Sequence, residues 1–149
     1  MVARAQLVTV LGSDDGLLSQ VVADLFDMGM RVRWAAGTPA DFPHLISIRD
    51  SLGRSAEDFD LRPMASSKGE WAALMAGATY VLAGPVPWPI GRFVDEVAVV
   101  QRRSDWIKRL MTTARHCGVR RVLLISGPAA VAGGHRGRRE SFTEDDWSV

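Results

Sequence analysis

Asp14 and Asp15 stand side by side just ahead of a run of apolar residues at helical spacing, and they are the first candidates for chemistry in this 149-residue sequence. Two adjacent carboxylates on a strand-to-helix loop can divide the work of general acid and general base. The same pair can instead cap the helix that follows, which is the commoner use of a carboxylate in that position. His135 is a third acid/base candidate. It follows Gly133-Gly134 in a loop expected at the carboxyl edge of a sheet, where open α/β folds take their ligands.

Other reactive residue types lack a pattern. His44, His116 and His135 are scattered, with neither the Cys-x-x-Cys nor the His-Glu-x-x-His spacing that would gather ligands around a metal. Cys117 has no second cysteine to pair with, so the sequence suits a reducing, cytoplasmic setting, and a lone cysteine near a helix end is more often a packing residue than a nucleophile. Arg136-Gly137-Arg138-Arg139 offers charge for a phosphate or RNA, yet a net charge of +1 gives the whole chain no electrostatic pull toward nucleic acid or an anionic membrane, and such a cluster is usually a solvated loop. Trp34, Trp71, Trp88, Trp106 and Trp147 suit either a hydrophobic ligand pocket or, taken singly, core and interface positions.

These residues need a scaffold, and the hydrophobic pattern supplies one. With 47% hydrophobic and 23% charged residues, the chain has the composition of one globular domain able to bury roughly 70% of its unfolded surface. Leu7 to Leu11 is a short apolar run ending at Gly12, as a buried parallel strand would. Leu17, Leu18, Val21, Val22, Leu25 and Phe26 recur at helical spacing, with Ser13 or Asp15 available as cap and Gly29 as terminator. Arg31 to Ala35 reads as a second strand; between residues 40 and 65, Leu45, Ile46, Ile48 and Leu52 allow a short helix and Phe59-Asp60-Leu61 a third strand stopped by Pro63. Ser67 and Glu70 have the spacing of a capping box for a helix through Trp71, Leu74 and Met75. A fourth strand spans residues 79 to 82. A long helix from Val94 to Cys117 carries Val97, Val100, Ser104, Ile107, Met111 and Ala114 at alternating steps of three and four, and a fifth strand runs from Arg121 to Ile125. From Gly127 to Val149 the composition is that of a loop or tail pinned by Phe142 and Trp147.

Gly29-Met30-Arg31-Val32-Arg33, Gly118 to Ser126, and above all Ala129-Ala130-Val131 with the stretch Gly134 to Ser148 resemble the extended short-chain dehydrogenases/reductases of the dihydroflavonol-reductase and NAD-dependent epimerase/dehydratase type. The resemblance implies a Rossmann-like α/β fold in three layers, a single NAD(P)-binding-like domain over residues 1–149, whose parallel sheet of about five strands has the order 3-2-1-4-5. It assigns Gly12, Ser13, Gly16, Arg33 and Gly84 to the remains of a cofactor site and Ser126 to the first of the family's catalytic serines. In the family's Gly-x-x-Gly-x-x-Gly loop only Gly12 is kept, with Asp15 and Leu18 on the second and third glycine positions; a shift by one residue brings Gly16 into play but leaves Leu18 in the way. After the second strand, Gly37 and Thr38 fall where the family selects between NAD and NADP. The family's Tyr-x-x-x-Lys pair lies further along, whereas the only tyrosine here is Tyr80 and the only lysines are Lys68 and Lys108, so the resemblance implies a C-terminally truncated relative.

No bound cofactor is expected on this reading, NAD(P) being only the ancestral ligand. Three classes of function stay open: a cofactor-independent enzyme or small-molecule binder working in the cleft above Gly12, Gly84 and Ser126, with Asp14, Asp15 and His135 as acid/base groups; a non-catalytic interaction subunit; and an oxidoreductase or epimerase completed by a partner chain. A homodimer or hetero-oligomer is expected. The fifth strand would be an open sheet edge, the long helix has an apolar stripe to bury, and Trp106 would anchor the contact. Neither nucleic acid nor membrane is an expected partner.

Overall fold

The computed structural model describes residues 5–12, 16–36, 43–51, 53, 58–84 and 95–126. Among the described residues five strands alternate with four helices: β1 (Leu7–Leu11), α1 (Leu17–Asp27), β2 (Arg31–Ala36), α2 (Pro43–Ser51), β3 (Phe59–Pro63), α3 (Lys68–Met75), β4 (Tyr80–Ala83), α4 (Glu96–His116) and β5 (Arg121–Leu124). All strands are parallel and lie in the order β3-β2-β1-β4-β5. The Rossmann-like expectation is borne out. The short helix and the third strand between residues 40 and 65 are both present, the strand running on through Pro63, which caps the edge of the sheet where a missing amide costs no ladder bond.

Parallel strands bury both faces, and alternate residues go to opposite sides. On one side Val8, Val10, Val32, Trp34, Phe59 and Leu82 meet Leu18, Val22 and Phe26 of α1, with Phe26 edge-on to Phe59 at 5.4 Å. On the other side Leu11, Ala35, Val81 and Ala83 meet Trp71, Leu74 and Met75 of α3 and Leu110 and Ala114 of α4. These are the three layers.

Helix α3 begins as its sequence specifies. The Ser67 hydroxyl accepts from the Glu70 amide, while Glu70 accepts from the Ser66 and Ser67 amides and the Ser66 hydroxyl. Those donors draw the Glu70 carboxyl down from 4.5 to about 2, the Ser66 amide contributing most. At helix α1 the N-cap is Gly16, which has no side chain to offer, and the expected caps Ser13 and Asp15 lie outside the described residues.

The apolar stripe expected on α4 divides between core and surface. Val99, Leu110 and Ala114 face the core, with Trp106 and Cys117 partly buried beside them, whereas Val97, Val100, Ile107 and Met111 are 80%, 57%, 41% and 48% exposed. Trp106 packs inward, edge-on to Trp71 at 5.7 Å, and is not the outward anchor the sequence suggested. A stripe at steps of three and four drifts around a straight helix, so over six turns two apolar rows compete and packing selects one.

Candidate functional site

The sheet order reverses between β1 and β4, the point at which open α/β sheets leave a crevice beyond their carboxyl ends. Three chain segments are drawn together there by continuation of the strand ladders. The Gly12 amide donates to the Ala35 carbonyl at 3.1 Å, the Gly84 amide to the Leu11 carbonyl at 2.7 Å, and the Ile125 amide to the Ala83 carbonyl at 2.8 Å. Gly12, Gly84 and Ile125 thus line the carboxyl edge side by side, and Ser126, exposed, follows immediately. The structure brings together Gly12, Gly84 and Ser126 of the residues picked out from the sequence, with Gly16 at the head of α1.

The crevice floor is occupied from below. Leu18, in the first turn of α1, is fully buried, and its Cδ1 lies so close to the two glycines that a Cβ at Gly84 would meet it at 2.6 Å and a Cβ at Gly12 at 2.9 Å. Real carbon contacts do not come that near, so a side chain at either position would require the end of the buried Leu18 to shift. Gly12 also holds a φ of 144°, which L side chains avoid. A cofactor loop uses its glycines to let a pyrophosphate approach the backbone. Here the same absence of side chains accommodates Leu18.

Trp34 adds a second internal contact. Its buried indole donates to the Gly12 carbonyl at 2.9 Å, tying the loop after β1 to the core. No pattern in the sequence singles out that bond, because Trp34 has the apolar alternation of any strand residue.

Arg33, assigned to the cofactor remnant, lies mid-strand on β2 and turns to the α3 face. Its guanidinium donates to Asp60 on β3 at 3.0 Å and to the carbonyls of Ala73, Leu74 and Ala76 at 3.2, 2.9 and 3.0 Å. The Leu74 carbonyl also accepts from the buried Thr9 hydroxyl at 2.9 Å. A cation at a helix C-terminus meets the negative end of the helix dipole, and this one ties α3 to β2 and β3. Asp60 also accepts from Arg62 at 2.7 Å. Burial pushes the Asp60 carboxyl up, but the hydrogen bonds and charges of Arg62 and Arg33 outweigh it and leave the group below its ordinary value.

Tyr80 opens β4 at the end of the sheet away from the crevice, and Lys68 and Lys108 lie on α3 and α4. The Trp71 indole nitrogen is buried with no hydrogen-bond partner among the described residues. Ser13, Asp14, Asp15 and His135, together with the expected tail from Gly127 to Val149, lie outside the described residues. Among the described residues no group of His, Cys, Asp and Glu could hold a metal ion, and no helix is long and apolar enough to cross a membrane.

No family model matches the sequence, and no curated protein matches it. Solved structures do. The fold is similar to that of yeast methylglyoxal/isovaleraldehyde reductase Gre2 complexed with NADPH, with a TM-score of 0.73 at 16% identity over 96% of this chain and 44% of that one. Gre2 from Candida albicans, also in complex with NADPH, gives 0.75 at 17% identity over 96% and 44%. A nucleoside-diphosphate-sugar epimerase from Pseudomonas aeruginosa gives 0.57 at 14% over 91% and 39%. The chain therefore shares the fold of the reductase and epimerase structures and spans less than half the length of each of these three.

Proposed function

We propose that the chain binds a small molecule, or transforms one without a nicotinamide cofactor, in the crevice above Gly12, Gly84 and Ser126, and that it is not a self-sufficient NAD(P)-dependent oxidoreductase. The observation that supports this most is Leu18. It stands on the third glycine position of the family's loop, where a glycine lets helix pack closely on strand, and its buried side chain packs instead against Gly12 and Gly84 as part of the core. The placement of Tyr80, the chain's one tyrosine, at the end of β4 away from the crevice agrees, since hydride transfer to a carbonyl needs an acid/base group beside the reacting carbon.

Isothermal calorimetry with NADPH and NADH tests the reading. Weak or absent binding is expected, along with no turnover of aldehydes or ketones by the isolated chain. Micromolar affinity would overturn it and favour the reading in which a partner chain completes an oxidoreductase. The double substitution Asp15→Gly, Leu18→Gly is expected to raise the affinity. If the crevice does its own chemistry, the acid/base groups are Asp14, Asp15 and His135, and Ser126 is a further candidate; an Asp14→Asn, Asp15→Asn, His135→Ala variant that folds and keeps full activity would remove the three.

A second reading, an association role, is favoured by a separate observation. The exposed Val97, Val100, Ile107 and Met111 on α4, and Leu123 and Leu124 on β5, offer apolar surface to another chain in a homodimer or hetero-oligomer.

A further inference from the structure

Resting on that association reading, we infer that the chain pairs with a second copy of itself through β5, edge to edge and antiparallel about a two-fold axis at Leu123. Among the described residues β5 is paired with β4 alone, so its outer edge presents open backbone groups. The Ile125 amide donates inward, to the Ala83 carbonyl. Amides alternate in direction along a strand, so those of Leu124 and Val122 point outward. Two outward residues flanking a central one are complementary to their own copy. In the antiparallel register about Leu123, Val122 exchanges both N–H···O bonds with the copy's Leu124, and Leu124 does the same with the copy's Val122.

The side chains fit the same axis. Val122 packs with the core beneath α4 and Ile125 with the core beneath α1, so Leu124 lies on the α4 face and Leu123 on the other. Residues opposite one another in an antiparallel pair share a face, and this register sets Leu124 against Val122 and Leu123 against its own copy. Both exposed leucines thereby gain apolar neighbours. The exposed Arg121 falls opposite Ile125, about 13 Å along the ribbon from its copy, where screening removes most of the repulsion. A copy added in parallel would set Arg121 beside Arg121 and leave another edge open.

Helix α4 meets the same axis independently. It carries the chain from β4 to β5 and packs over the gap between them, with Leu110 and Ala114 buried among Val81, Ala83 and Val122. Its Trp106 and Cys117 turn toward α3, Trp106 against Trp71 and the Cys117 thiol toward the Ala72 carbonyl. Ile107 and Met111 follow about 60° and 100° past Leu110 round the helix, on the flank away from α3 and above the open edge, and both are exposed. Paired strands stand about 4.8 Å apart, which puts the axis about 2.4 Å outside β5 and about 4.8 Å from a helix over the β4–β5 gap. Two copies of α4 then run antiparallel about 10 Å apart, the distance at which helices pack, with Ile107 and Met111 between them. An unrelated strand could use the edge, but it brings no helix to that distance. A copy of this chain satisfies the edge amides, the leucines and the α4 flank with one operation.

Analytical ultracentrifugation of the 149-residue chain at micromolar concentration tests the pairing. A dimer is expected. Leu123→Lys and Leu123→Glu each set like charges face to face across the axis and are expected to weaken it at least about tenfold. Mixing the two variants is expected to restore a dimer, because opposite charges then meet. Leu124→Pro removes an outward amide and no bond to β4, and is expected to weaken the dimer as well. In dilute solution, where the chain is monomeric, all three variants are expected to keep the native circular dichroism. Failure of the mixture to dimerise overturns the register about Leu123. A dimer that withstands the Leu123 variants but is lost in Ile107→Glu with Met111→Glu overturns the strand pairing and sustains the association reading. A native chain that stays monomeric overturns the pairing and, with it, the homodimer of that reading.

Discussion

Strands β1 and β5 are both short, parallel and rich in branched apolar residues, yet all five residues of β1 are buried while in β5 only Val122 is even half-buried. Leu7-Val8-Thr9-Val10-Leu11 has strand neighbours on both sides and helices on both faces; Arg121-Val122-Leu123-Leu124 has β4 on one side and leaves Leu123 63% exposed. Composition made both of them strands. Place in the sheet decided which one holds the molecule together, because an edge strand has only one ladder and less cover.

The largest expected effect tests that contrast directly. Val10→Asp puts an unpaired charge at a fully buried position and is expected to cost about 4 kcal/mol or more, whereas Leu123→Asp is expected to stay within about 0.5 kcal/mol. Urea unfolding followed by circular dichroism measures both. A large loss from Leu123→Asp would mean that the β5 edge is covered in solution.

Next is the contact that fills the crevice floor. Leu18→Ala is expected to cost about 2–5 kcal/mol as a buried large-to-small change. Gly84→Ala is expected to cost about 1–3 kcal/mol by overpacking, and to cost much less once Leu18 is alanine. A double-mutant cycle reads the coupling. Additive effects would show that the glycine is required for something other than Leu18.

Arginines show the same contrast between regions. Arg33 has 17% of its side chain exposed and bridges β2, β3 and the end of α3, so Arg33→Ala is expected to cost about 2 kcal/mol by stranding carbonyls and removing one of the two cations that pair with Asp60. Arg121→Ala on exposed β5 is expected to change stability by less than about 0.5 kcal/mol. Equal effects in thermal unfolding would break the distinction.

The smallest effect concerns a helix start. Glu70 has a folded-state pKa of about 2 against an ordinary 4.5, so its contribution is present in full above the ordinary value and is lost as pH falls from there toward 2. The stability difference between the native chain and Glu70→Gln is therefore expected to be constant at neutral pH and to shrink through that window. A difference that persists at pH 2 would show that the carboxylate charge is not what the cap depends on.

The candidate site was legible only in part, for a physical reason. Gly12, Gly84 and Ser126 were picked out by the family resemblance, and they meet because the ends of parallel strands gather at one edge whatever their side chains are. That Leu18 fills the space beside those glycines depends on the docking depth of α1, which no spacing encodes. Arg33 drew attention through its family-like surroundings, but its partners are 27 to 43 residues away, on β3 and α3.

The sequence by itself determined the elements and their succession. Alternating apolar runs and helical periodicities placed five strands and the main helices, and the Ser67–Glu70 box marked the start of α3 because a capping box is satisfied within four residues. Tertiary structure alone decided which stripe of α4 is core. The row through Val99, Leu110 and Ala114 and the row through Val97, Ile107 and Met111 are both apolar, and only the shape of the α3 and sheet surface beneath the helix breaks the tie between them.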